Sequence, residues 1–422
     1  MVTESPVWKG VNCHMPDTRA GTFRLALIAA EGIIANLLLG TLFIWSVMRN
    51  PLLELFPQWT EGMLSVVFGF HNLFTSAGIL LGGFLSARIS SRKIFLLLGI
   101  LVFLGLGGFT LLPVDRPGLS YAMVIVLFWL FAAVGIGLGI SAVQSTTIPW
   151  FPRHSGLISG ALYMALGVSS VLLAALAEVL LPAFGVRHTM LVFGLIVLVV
   201  VLLILLDRRS ILPPQAAGGT QAAPLTGFSP REMLRSPVFW ILILWNISLR
   251  SAGLTLLDHA ASMFVAYGGT AIVAMLISPA NGLGSLCIGM TMDRLGIKSI
   301  MKFAAGLMCL AGMLLLLGDR TTLQPLLLAG LLVGGLAYGG SSSSYSAAVK
   351  NIFGPKYYAR NFGISNIAMG LAAIIESASG FLLDAGGGSY TGVLLMVFLL
   401  SIPAIVCSLL MAKQDTAPAL SV

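Results

Sequence analysis

Twelve apolar runs, each long enough to cross a bilayer, follow one another with little chain between them. They fall at about 24–48, 62–86, 94–113, 121–148, 156–182, 189–206, 238–264, 270–292, 300–318, 325–348, 362–384 and 390–412. A bilayer span needs roughly 20 mostly apolar residues, and a barrel strand about half that number. Hydrocarbon offers no water to an unpaired peptide group, so runs of this length must be helices. Composition agrees: 58% of the residues are hydrophobic and 9% charged, against about 25% charged in soluble domains. A chain this apolar needs lipid as its solvent. The expected fold is an all-α membrane protein with twelve transmembrane helices. Residues 1–23 are largely polar and the first run exceeds a signal core, so that run is expected to remain a span.

The basic residues sort by loop. With the amino terminus in the cytoplasm, all but five of the 23 Lys and Arg residues fall in segments on that side. Arg49, Arg116, Arg187 and Arg320 fall on the other, and Arg250 lies inside a run. Cytoplasmic loops carry the positive excess. A multi-pass protein with both termini cytoplasmic, in a bacterial inner membrane, is therefore expected. The formal charge of +8 follows from this sorting and does not point to nucleic acid. Cys287, Cys309 and Cys407 lie in runs and Cys13 in the amino-terminal segment, with neither a disulfide framework nor a metal spacing. No nucleotide loop or nucleophile–base set is present. The chain reads as no enzyme, with no cofactor and no metal, and as a monomer in the bilayer.

Three segments are expected: a six-helix bundle over 1–206, a cytoplasmic linker over 207–236 and a second six-helix bundle over 237–422. The linker is rich in Pro, Gly, Ala and Thr. Ser229, Pro230 and Glu232 then have capping-box spacing and predict a short helix ahead of the seventh span. The halves repeat. "GGFLSARISSRK" after span 2 aligns with "IGMTMDRLGIKS" after span 8, pairing Gly83 with Gly289 and Arg88 with Arg294. Gly135 and Gly139 align with Gly335 and Gly339, and Gly160 and Gly167 with Gly363 and Gly370. Parallel six-helix repeats related by pseudo-two-fold symmetry imply a transporter with a central site at the repeat interface.

These residues resemble the major facilitator superfamily, whose signature after helix 2 is G-x-x-x-D-R-x-G-R-[RK]. The second copy keeps Gly289, Asp293, Arg294, Gly296 and Lys298; the first has Ala87 for the Asp and Ser90 for the second Gly. The resemblance implies a loop network of Asp293, Arg294 and Arg88 pinning helix ends, weaker in the first half. "GTLFIWSVMRNPL", "WFPRHSGLISG", "MLRSPVFW" and "RNFGISNIAMG" are similar to the oxalate/formate antiporter and monocarboxylate transporter branch. Oxalate-type members place an arginine in helix 8 and a lysine in helix 11; Ser285 and Met369 stand there instead. The small dianion oxalate is therefore not the expected substrate.

Ionisable residues inside spans usually face a cavity and mark substrate or proton routes. Arg250 lies near the midplane, about 18 Å into the seventh span at 1.5 Å per residue, with Asn246 one turn earlier on the same face. It reads either as a clamp for a substrate carboxylate or as one end of a structural ion pair with Glu376. Glu376, Glu31 and His71 are the candidate proton carriers. Asn281, Ser285 and Asn366 offer hydrogen bonds to substrate. Asp258 and His259 read as outer-gate residues and Glu178 as interfacial. "GGSSSSYSAA", from Gly339 to Ala348, reads as close helix packing or as a polar pathway. The function expected is secondary active transport of a small organic anion, a monocarboxylate, by alternating access and with protons. The alternative is a proton-driven exporter of an uncharged or cationic compound, in which Arg250 is structural.

Overall fold

A computed structural model describes residues 19–40, 45–86, 88–206, 227–270, 273 and 276–414. Among these, α1 is Arg19–Leu39, resumed by a short helix Trp45–Leu55. Then come α2, Glu61–Leu85, α3, Ser91–Leu111, and α4, Pro117–Trp150. A 52-residue helical run, Ser155–Leu206, breaks at Gly185 (φ 66°, ψ 169°) into α5, 155–184, and α6, 186–206. The second half opens with α7, Pro237–Ala266. A 45-residue run, Ile277–Thr321, breaks at Gly296 (φ 74°, ψ 167°) into α8, 277–295, and α9, 297–321. The chain closes with α10, Gln324–Phe353, α11, Tyr358–Ala385, and α12, Thr391–Lys413. The backbone at Gly185 and Gly296 lies in a region open essentially to glycine alone. That is why each pair of spans is joined by one residue rather than a loop. Twelve helices in two halves result, as the apolar runs predict.

Most of the linker, 207–226, lies outside the described residues. Its end is ordered: Ser229 and Glu232 form the reciprocal capping box that opens the helix Pro230–Arg235. Hydrogen bonds from Ser229 hold the Glu232 carboxyl below the usual carboxylate range. The connections after α2, α4, α8 and α10 share one face of the molecule, termed here the basic face for its Lys and Arg.

The repeat is visible as matched helix crossings. A methyl built on Gly78 would meet the Val134 carbonyl at 2.4 Å, and one on Gly284 the Leu336 carbonyl at 2.2 Å. One on Gly137 would meet the Thr75 carbonyl at 2.2 Å, and one on Gly339 the Asn281 carbonyl at 1.8 Å. The α2–α4 crossing thus reappears as α8–α10, with backbone against backbone where only glycine fits. This corrects the register read from sequence. The mate of Gly339 is Gly137, not Gly139, so α4 and α10 align two residues away from the Gly135–Gly335 pairing. Gly139 packs on the Leu39 side chain of α1 instead.

The halves also meet symmetrically. Gly83 of α2 abuts the Ala359 carbonyl and Gly363 of α11; Gly289 of α8 abuts the Gly156 carbonyl and Gly160 of α5. Further in, Ser76 donates to the Asn366 carbonyl at 2.8 Å, and Gly167 and Gly370 approach Gly282 and Leu73. Beyond Gly167 and Gly370, toward the opposite face, no glycine crossing or hydrogen bond of the described residues joins the halves. The molecule is closed at the basic face.

Candidate functional site

Arg250 sits midway along α7 and is 4% exposed, inside the protein rather than against lipid. The phenolic groups within reach of its charge come from both halves. Tyr163 of α5 places its hydroxyl close to the guanidinium, and Tyr338 and Tyr345 of α10 lie within range of its charge. Gly253, one turn beyond Arg250, makes room for the Tyr338 ring, which would stand 2.2 Å from a methyl there. Tyr345 is anchored by donating to the Ser365 carbonyl at 2.9 Å.

The guanidinium is not neutralised. The ion pairs found among the described residues join Asp115 to Arg116 and Asp258 to His259, and neither involves Arg250. Its Nε and Nη2 are buried without a hydrogen-bond partner. These two nitrogens form one edge of the planar fork, the spacing that receives both oxygens of a carboxylate. Asn246, one turn nearer the basic face, is fully buried with both amide atoms unpartnered. Buried polar groups without partners are rare in folded proteins, and each asks for an explanation.

Glu376 does not reach Arg250. It is half-buried on α11, where its charged neighbour is Asp258 of α7. The structural ion pair read as one alternative from sequence is therefore absent in this conformation. His259 contacts Asp258 at 3.7 Å and the Ser379 hydroxyl at 2.8 Å. Asp258, His259 and Glu376 thus form one group on the side of Arg250 away from the basic face, and Glu178 is exposed. Glu31 lines a small pocket inside the first half, with Gly32, Thr146, Thr147 and Phe95. His71 is also internal to that half: fully buried, both ring nitrogens unpartnered, its ring 4.6 Å from that of Phe128.

The remaining candidates are engaged in packing. The Ser285 hydroxyl donates to the Asn281 carbonyl at 3.0 Å, where α5, α8 and α10 cross. The Asn281 side chain lies beside Gly339, and Asn366 donates to the Phe362 carbonyl at 2.9 Å. In the serine run of α10, Ser341 and Ser343 bond to backbone carbonyls and Ser346 donates to Gln144 at 3.1 Å, while the Ser344 hydroxyl is buried without a partner. Gln144 and Ser346 are equivalent positions of the corrected repeat, so this bond spans the pseudo-two-fold axis.

Of the loop network, Asp293 crosses between the halves: its two oxygens accept the backbone N–H of Gly156 at 2.7 Å and of Leu157 at 2.8 Å. Arg88 and Arg294 are exposed and in no ion pair among the described residues. The pin is a carboxylate on the positive end of α5, not an arginine–carboxylate mesh. Sequence reasoning missed Tyr163 and Tyr338, because nothing in a lone tyrosine tells which way a helix turns. Lys350, just past the tenth apolar run, is buried within α10.

Two repeats that close on each other at one face, around a cation left without an acid, make an integral membrane carrier of the two-bundle type. The chain belongs to the Major Facilitator Superfamily, whose family model matches residues 25–375 and 265–421. It is 24% identical over 351 residues to the MFS-type transporter YhjX of Escherichia coli (strain K12), covering 81% of this chain and 84% of that one. It is also 24% identical over 371 residues to the oxalate:formate antiporter of Oxalobacter formigenes, covering 84% of each. Among solved structures it resembles the proton:xylose symporter XylE bound to 6-bromo-6-deoxy-D-glucose (TM-score 0.75, 16% identity, 94% of this chain and 96% of that one). It also resembles a bacterial homologue of the iron transporter ferroportin in an outward-facing state (TM-score 0.70, 15% identity, 92% of this chain and 100% of that one). The protein is a multi-pass secondary transporter that works by alternating access.

Proposed function

We propose that the protein moves a small organic monoanion, a monocarboxylate, whose carboxylate docks on the Nε–Nη2 edge of Arg250. One observation carries this reading: a buried guanidinium keeps a whole bidentate edge unpaired, with no carboxylate of the described residues against it. A buried charge without a partner is costly, and a transported anion would supply the partner. Asn246 would hydrogen-bond the same ligand, and Tyr163 would lend it a contact from the other half. A single cation suits one carboxylate. Ser285 and Met369, where oxalate-type relatives hold cations, argue against a dianion.

Protons are the proposed coupling ion. Glu376 is the preferred carrier, because it stands with Asp258 and His259 on the side of Arg250 away from the basic face, whereas Glu31 and His71 are packed inside the first half. The positive excess makes the basic face cytoplasmic, so this conformation would admit substrate from outside, in a bacterial inner membrane, with the protein acting as a monomer. The Asp258–Glu376 group favours a second reading, export of a cationic compound drawn to those carboxylates. The test is thermal stability of the purified protein with small carboxylates, amines and neutral solutes at pH 5.5 and 7.5. A ligand that binds the folded state raises stability by mass action. Stabilisation by monocarboxylates, lost in R250Q, is the expected result. Stabilisation by amines alone, lost in E376Q, would replace this reading with the second.

A further inference from the structure

Lys350, in the last turn of α10, is buried at the seam between the halves with only 5% of its surface exposed. Its ammonium donates to the Phe151 carbonyl of the first half at 3.5 Å. Its charged neighbour is Asp293 of its own half. The two do not pair here, because both Asp293 oxygens are taken by the Gly156 and Leu157 N–H groups of the first half. Lysine and aspartate thus stand side by side, each bonded across the seam to backbone of the other half.

The internal repeat supplies an independent observation. Matched crossings equate Thr75 with Asn281 and Gly137 with Gly339. The same registers equate Asp293 with Ala87 and Lys350 with Ile148. The first repeat lacks both charges together. Had Lys350 served the Phe151 carbonyl alone, its loss would not need to accompany the loss of the aspartate.

The geometry points to a partner exchange: when the halves part at the basic face, Asp293 leaves the amino end of α5 and is taken up by Lys350. α8 and α10 are locked at Gly284–Leu336 and Gly339–Asn281, so Lys350 and Asp293 travel as one body. Parting removes two N–H donors from the carboxylate and the Phe151 carbonyl from the ammonium. An abandoned charge would oppose opening. With Lys350 beside it, Asp293 has a waiting counter-ion, and the two states stay close in energy. Lys350 is thereby a positioning residue for alternating access, acting through Asp293, whatever solute is carried.

The test is amide hydrogen exchange of the full-length protein across 153–160, which reports release of the Gly156 and Leu157 N–H groups. K350M, which copies the apolar character of Ile148, and K350Q should slow exchange there by roughly five-fold or more, because opening now strands Asp293. K350R should restore the native rate. In a D293N background, where no charge is stranded, K350M should leave exchange unchanged. Faster exchange in K350M would mean that the bond to Phe151 simply holds the seam shut, and would overturn the exchange. So would an equal effect of K350M with and without Asp293. A poorly folding single variant still leaves the K350R comparison and the D293N background to decide.

Discussion

At the scale of single residues, the sign of the stability change at Arg250 separates a binding role from a structural one. A residue held in a structural ion pair leaves a stranded partner when removed, at about 3–5 kcal/mol. Arg250 has no such partner among the described residues. R250Q should therefore keep or raise the melting temperature while abolishing stabilisation by carboxylates; a marked fall in melting temperature without ligand would contradict the site. R250K should retain weak binding at best, since an ammonium is a point charge and lacks the fork. Glu232 offers a separate check by pH. Its folded-state pKa is lowered by Ser229, so its contribution is present above the unfolded pKa and lost as pH falls through the folded one. Amide exchange of Ser229–Arg235 should accordingly rise below about pH 4 and show less of that dependence in S229A.

At the scale of helices, the glycines make predictions of opposite sign. An alanine methyl at Gly137 or Gly339 would stand 2.2 or 1.8 Å from a carbonyl oxygen of the crossing helix. Overpacking of this kind costs about 1–3 kcal/mol or more. Gly306, in α9, has no atom within 4 Å of a built methyl, and G306A should be neutral or stabilising by up to about 1 kcal/mol. Thermal unfolding in detergent checks all three. The helices themselves were legible in the sequence because hydrocarbon leaves no alternative to them. The capping box was legible because Ser229 and Glu232 act locally. The α4–α10 register was misread because α4 carries glycine at 135, 137 and 139, and only the crossing partner tells which one bears contact. The Ser285 hydroxyl and the Asn366 amide bond here to carbonyls of their own helices, a local choice that the sequence does not show. Whether Ser285 or Asn366 faces a cavity or its own helix backbone depends on rotation, which apolar runs do not encode.

At the scale of the whole molecule, two six-helix halves meet at the basic face through glycine crossings, the Asp293 clasp and the Gln144–Ser346 bond. Arg250 lies beyond that seam, with Tyr163 facing it from the other half. Asp293 makes the clasp asymmetric, since Ala87 stands in its place in the first repeat. The Asp-for-Ala difference was visible in the sequence, but what Asp293 holds was not, because its partners are backbone groups that any residue supplies. Glu376 carries the coupling prediction: E376Q should still bind substrate while its uptake loses dependence on an imposed pH gradient, as vesicle assays at matched and unmatched pH would read. The central claim is that Arg250 holds the carboxylate of a transported monoanion. Its most direct test is uptake of a radiolabelled small monocarboxylate into proteoliposomes, with the native protein and R250Q side by side. The account predicts saturable uptake by the native protein and a loss of at least tenfold in R250Q at equal insertion. Undiminished uptake by R250Q would contradict it.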